Sequence, residues 1–93
     1  MRYVRFATRA EAERAALPAV IRRLVTDRII EIAGQPDPAS ADDLRLVAPA
    51  SVNSGLIMTA VVHGQWFVMI TYRIHREPDE VWIPMILAVH GEV

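Results

Sequence analysis

The stretch SGLIMTAVVHGQWFVMITYRIHREPDEVWIPMILAVH, running from Ser54 to His90, decides the fold. It holds three apolar segments, divided by Gly64-Gln65 and by Arg76-Glu77-Pro78-Asp79. Val, Ile, Thr, Trp, Tyr and Phe dominate, and these side chains suit a pleated surface better than a helix. The reading is an antiparallel meander over residues 56–63, 66–75 and 80–90. A two-residue loop at Gly64-Gln65 sets His63 opposite Trp66, and a four-residue loop at 76–79 sets His75 opposite Glu80.

Opposed residues share a face and neighbours along a strand alternate, so this register sorts the side chains. One face collects Ile57, Thr59, Val61, His63, Trp66, Val68, Ile70, Tyr72, Ile74, Val81, Ile83, Met85, Leu87 and Val89. It is apolar enough to be the core. The other face carries Leu56, Met58, Ala60, Val62, Phe67, Met69, Thr71, Arg73, His75, Glu80, Trp82, Pro84, Ile86, Ala88 and His90. It is polar at one end and apolar across its middle. A one-residue error in either loop would exchange the two sets for one strand.

Outward from the meander, RYVRFA at residues 2–7 alternates as a short strand with Tyr3, Arg5 and Ala7 on one side. Thr8-Arg9-Ala10-Glu11 has the form of a capping box opening a helix to about Ala16, supported by the Arg9–Glu13 spacing. Leu17-Pro18 interrupts that helix, and Pro18 suits the first position of the next. The second helix spans 18–33, with Leu17, Val20, Ile21, Leu24, Val25, Ile29 and Ile32 as its apolar stripe. Gly34, Pro36 and Pro38 end it. Residues 35–43 read as a loop, Leu44–Ala48 as a further strand, and Pro49–Ser54 as the turn into the meander. The expectation is one α+β domain over 1–93, two N-terminal helices packed on one face of a curved antiparallel sheet.

A chain of 93 residues has room for a single two-layer core. With 53% hydrophobic residues and a net charge of −1, it is neither a disordered chain nor a generically basic nucleic-acid binder. No apolar run approaches the roughly 20 residues of a membrane span, and MRYVRFATR lacks a signal-peptide core, so a cytoplasmic protein is expected. The absence of cysteine excludes disulfides and thiolate metal sites. All ten basic residues are Arg, which fits codon bias and also bidentate contacts to phosphate or carboxylate.

The order of elements and several local patterns resemble the RelE/ParE family of bacterial toxins. The resemblance is carried by Tyr3-Val4-Arg5-Phe6, Ala10-Glu11, Leu17-Pro18, the helix with Ile29-Ile30-Glu31-Ile32-Ala33, Pro36, Leu44, the turn Gly64, and Val89-His90. It implies the helix-on-sheet fold, a functional surface on the open sheet face, and an antitoxin partner. It also implies a ribosome-bound mRNA or gyrase as target. Members that cut mRNA carry basic residues along that face in the pattern R-x-R-x-G-x-x-R. With Gly64 on that glycine, Met58 or Ala60 and then Phe67 stand where the arginines would be, and Gly91 follows His90 in place of Arg. The resemblance therefore implies the fold while the family's nuclease chemistry lacks its residues.

Arg73, His75 and His90 are the candidate catalytic residues on the open face, with Glu80 and Trp82 beside them. His can exchange a proton near neutrality, Arg can hold phosphate and Trp can stack on a base. The plain alternative makes Arg73 and Glu80 a rim ion pair and His75 a polar strand end. His63, beside the turn, reads as a solvated loop residue. The three histidines have no metal-ligand spacing, and neither metal nor cofactor is expected. Arg22, Arg23 and Arg28 are interleaved with Asp27 and Glu31, which describes a solvated helix face. Met58, Val62, Phe67, Met69, Trp82 and Ile86 form the expected partner surface, for an antitoxin-like protein or a second copy. The three residues after His90 are too few to cover it.

Overall fold

Alternation at the N-terminus makes a strand, β1 (Tyr3–Phe6), which turns Val4 and Phe6 toward the core and Tyr3 and Arg5 away. The computed structural model describes residues 1–34, 44–45, 56–76 and 78–91. After β1 come α1 (Thr8–Ala15), α2 (Ala19–Gly34), β2 (Leu44–Arg45), β3 (Ile57–His63), β4 (Trp66–Arg76) and β5 (Asp79–His90). The sheet order is β1-β5-β4-β3-β2; β1 runs parallel to β5, and the other pairings are antiparallel. The expected loop at 35–43, the rest of the expected strand at 46–48, and the turn at 49–54 lie outside the described residues.

Helix entry differs from the expected capping box. Ala7, not Thr8, is the N-cap and makes no side-chain cap; its carbonyl instead accepts the Glu11 amide at 3.0 Å. Thr8 sits one position too deep to cap. The Arg9–Glu13 pair does form, at 3.3 Å. The second helix begins at Ala19, one residue later than expected, with Pro18 just before its first turn, where its carbonyl accepts the Arg22 amide at 2.8 Å.

The core lies between α2 and the sheet. Leu17, Ile21, Val25, Ile29 and Ile32 are buried from the helical side, against Ile57, Val68, Ile70, Tyr72, Val81 and Ile83 from the strands. Val20, expected on the stripe, is instead exposed. Buried Thr59 would be a polar defect in this layer, but its hydroxyl accepts two N–H bonds from Arg28 at 2.9 and 3.1 Å.

The meander follows the expected register through both loops. His63 pairs with Trp66 across Gly64, whose φ of +58° is the left-handed conformation that glycine adopts without strain. His75 pairs with Glu80, Ile74 with Val81 and Arg73 with Trp82. Beyond that point the register shifts. Thr71 pairs with Met85, so Ile83 and Pro84 together oppose Tyr72, forming a bulge. Pro84 has no N–H to give the ladder and is suited to such a site.

The bulge inverts the end of β5 relative to the sequence reading. Ile86 is 1% exposed and Ala88 packs against the core, whereas Leu87 is 41% exposed and Val89 also faces outward. Ile86 is therefore a core residue and not part of a partner surface. Where β1 has given way to α1, the Ile86 amide donates to the Glu13 carboxylate at 3.1 Å.

Candidate functional site

With the helices on one side, the opposite face of the sheet is the surface available for function, and the strand registers order it into rows. Tyr3, Glu80 and His75 form the first row and Arg5, Trp82 and Arg73 the second. Met85, Thr71 and Met58 follow, then Leu87, Met69 and Ala60, then Val89, Phe67 and Val62. The face is charged and aromatic at the β4–β5 turn and apolar toward the β3–β4 turn.

Glu80 organises the charged end. Its carboxylate, 7% exposed by residue, accepts from Arg5 Nη2 at 2.8 Å and from Arg5 Nε at 3.2 Å to each oxygen. His75 Nδ1 lies 2.8 Å from the same Oε1. Hydrogen bonds from Arg5 first and His75 second hold the Glu80 carboxyl down at a pKa of about 2, against the opposing cost of burial. The same contact pushes the Arg5 guanidinium up from an already high value. A carboxylate ionised so firmly can only accept, so His75 Nδ1 carries the proton and its Nε2 is left as the second functional nitrogen.

Arg5 is also stacked on Trp82, with Cζ 4.2 Å from the ring centroid, which orients the guanidinium from below as Glu80 does from the side. Arg2 binds Asp79 at 3.0 Å close by. Chemically the cluster combines an oriented imidazole, a held guanidinium and an indole face, with Arg73 in the same row as Trp82.

The structure thus brings Arg73, His75, Glu80 and Trp82 together as expected. It does not bring His90. The inverted end of β5 sends that side chain to the other face, where it stacks on Trp66 with centroids 4.6 Å apart and planes at 20°. His90 is at the far end of the sheet from His75 and cannot share a proton relay with it. Arg5 is the residue that sequence reasoning missed. The alternation of RYVRFA placed it on a face, but its long-range parallel partner left no local signal.

Met58, Val62, Phe67 and Met69 do lie on the open face, joined by Met85, Leu87 and Val89. Trp82 belongs to the charged cluster and not to the apolar stripe. His63 is exposed beside its turn. Among the described residues, no group of three His, Asp or Glu side chains is placed to hold a metal ion. Among the same residues, no helix is long and apolar enough to cross a membrane.

Among solved structures, the chain is similar to the isolated E. coli RelE toxin, with a TM-score of 0.75 and 15% identity over 99% of this chain and 88% of that one. It is similar also to the intact E. coli RelBE toxin–antitoxin complex, with a TM-score of 0.73 and 16% identity over 100% of both chains. At such identities the likeness is one of fold, and the fold is that of RelE. No protein-family model matches the chain, and no curated protein sequence does.

Proposed function

We propose that this chain is the toxin-like component of a bacterial type II toxin–antitoxin pair, acting in the cytoplasm through protein–protein contacts and not by cutting RNA. The observation that carries the reading is the middle of the open face. On a RelE fold, that surface presents Met58, Met69, Phe67, Met85 and Leu87. Cleavage of a phosphodiester needs groups to activate the 2′-hydroxyl, hold the phosphate and protonate the leaving oxygen. Thioether and hydrocarbon side chains do none of these, but they are well suited to burial against another protein.

The test is induced expression in a bacterial host, with and without a small reading frame abutting this one. Growth arrest relieved by the neighbour, without mRNA cleavage in primer extension, is the expected result. Absence of both growth arrest and a co-purifying neighbour would favour the alternative of a non-toxic dimerisation or interaction module of the same fold.

A second reading, a ribosome-dependent mRNA endoribonuclease with a rearranged site, draws on the Glu80–His75 contact. That bond aims His75 Nε2 as a general base, with Arg5 and Arg73 as phosphate holders. The site has no acid for the leaving group in His90, which stands on the opposite face. Ribosome-bound mRNA cleavage abolished by His75→Ala would establish this second reading in place of the first.

A further inference from the structure

We infer that Met58, Met69 and Met85 form an oxidation switch on the open face: a hydroperoxide converts their thioethers to sulfoxides, turning the apolar middle of that face polar while the core stays intact. The chemistry stands without a partner; its consequence, a lost contact, rests on the protein–protein reading above.

The methionines are not scattered. The chain has four, and apart from Met1 all of them lie on this face. Met58 on β3 and Met85 on β5 stand directly opposite Thr71, one on each side, and Met69 precedes Thr71 by two residues on β4. Met69 is thus a diagonal neighbour of the other two, at about 7–8 Å between backbone positions. Thr71 is only 4% exposed although it faces away from the helices, so the long side chains around it, these three among them, close over it. Each of the three methionines is itself only partly buried. Among the described residues, none of them belongs to the helix-packed core or packs against it. Methionine commonly fills gaps inside a core, and here its placement is the reverse.

With no cysteine in the sequence, thioethers are the only sulfur the chain offers to an oxidant. A sulfur lone pair attacks one oxygen of the hydroperoxide. The S–O bond forms as the O–O bond breaks, and the proton passes to the departing oxygen, which leaves as water or an alcohol. Sulfur gives up two electrons and the peroxide takes both. The product is a polar sulfoxide where an apolar thioether stood. Three such oxygens in the middle of the face would have to be stripped of water without a partner, which opposes any contact made there. The fold bears no such cost, because these side chains already meet solvent. Methionine sulfoxide reductases, one for each epimer, return the face to its apolar state.

Purified chain treated with hydrogen peroxide is followed by peptide mass spectrometry, circular dichroism and Nile red, a dye that brightens on apolar surface. Met58, Met69 and Met85 should each gain one oxygen at rates within about tenfold of Met1, which is 88% exposed. The circular dichroism should keep its native form while dye emission falls by about threefold or more. The two reductases should restore the emission. With Met58→Leu, Met69→Leu and Met85→Leu combined, side-chain volume is kept and peroxide should no longer change the dye signal. Met69→Gln, polar and of similar length, should dim the dye before any peroxide is added.

Methionines that react only once the chain is denatured, a fold lost on oxidation, or dye emission indifferent to complete oxidation would each overturn the inference. So would peroxide dimming the triple leucine variant as much as the native chain. None of these readouts needs a partner, so their failure removes the switch and leaves the growth-arrest test of the toxin-like reading untouched.

Discussion

The two halves of β5 obey the same alternation and have opposite histories. From Glu80 to Trp82 the strand pairs on both sides, with β1 and β4, and its side chains fall where counting from the β4–β5 turn puts them. From Met85 to His90 it has β4 beside it but not β1, and every side chain is on the face opposite to that count. One extra residue opposite Tyr72 separates the two behaviours. Periodicity specifies a face only up to the next bulge, and packing decides what happens after it. With the slip, Ile86 and Ala88 meet the core while Leu87 stays exposed, and Pro84 has no amide to lose from the ladder there.

The comparison breaks most sharply at adjacent residues of the second half. Ile86→Ala should destabilise the chain by about 2–5 kcal/mol, the range for truncating a buried aliphatic side chain. Leu87→Ala, one residue on and 41% exposed, should cost under about 1 kcal/mol. Urea denaturation of the two variants side by side measures the difference. Equal losses, or the reverse order, would mean that the strand is continuous and the bulge absent.

A smaller effect is expected where the second half loses its neighbour. Glu13→Ala removes the acceptor of the Ile86 amide and should cost about 1–2 kcal/mol. Glu13→Gln keeps a carbonyl oxygen in place and should recover much of the loss, as judged by thermal melts of both variants.

The first half is sharpened by acid. Glu80 is held well below its ordinary 4.5, at about 2, so it binds a proton less readily folded than unfolded. Its stabilising contribution is complete above about 4.5 and is lost as the pH falls toward about 2. The stability difference between the native chain and Glu80→Gln should therefore shrink steadily across that window. A difference that stays flat from pH 5 to pH 2 would show that Arg5 and His75 do not hold the carboxylate in solution. The smallest change should come from Arg5→Lys, which keeps the charge but loses the planar fork over Trp82; its melt should shift by only a degree or two.

Much of the architecture was legible in residue order. The helical stripe of Leu17, Ile21, Val25, Ile29 and Ile32, the Gly64 hairpin and the His75–Glu80 pairing all follow from spacing and turn chemistry, which are local. The resemblance carried by Tyr3-Val4-Arg5-Phe6 and the second helix pointed to the fold that the solved RelE structures share. What was not legible is long-range or uncounted. Nothing in RYVRFA announces that Arg5 will lie beside Trp82, since a parallel pairing has no hairpin to set its register. Nothing in VWIPMIL marks where the alternation resets, apart from Pro84 itself. The candidate site suffered from both: it gained Arg5 and lost His90 and Ile86.

Glu13 has a consequence for the company this protein can keep. An exposed strand edge invites any passing strand to extend the sheet, which is how folded chains begin to aggregate. At Ile86 an incoming strand meets a carboxylate already seated on the amide it would need, and pairing there would strip that amide of its acceptor or trap a negative charge between two sheets. The residue that anchors α1 to the sheet is thus also a guard on its open side. The same guard leaves the broad face beside it free to be apolar, because contact there can be made by a partner's side chains without opening the way to a growing β-stack.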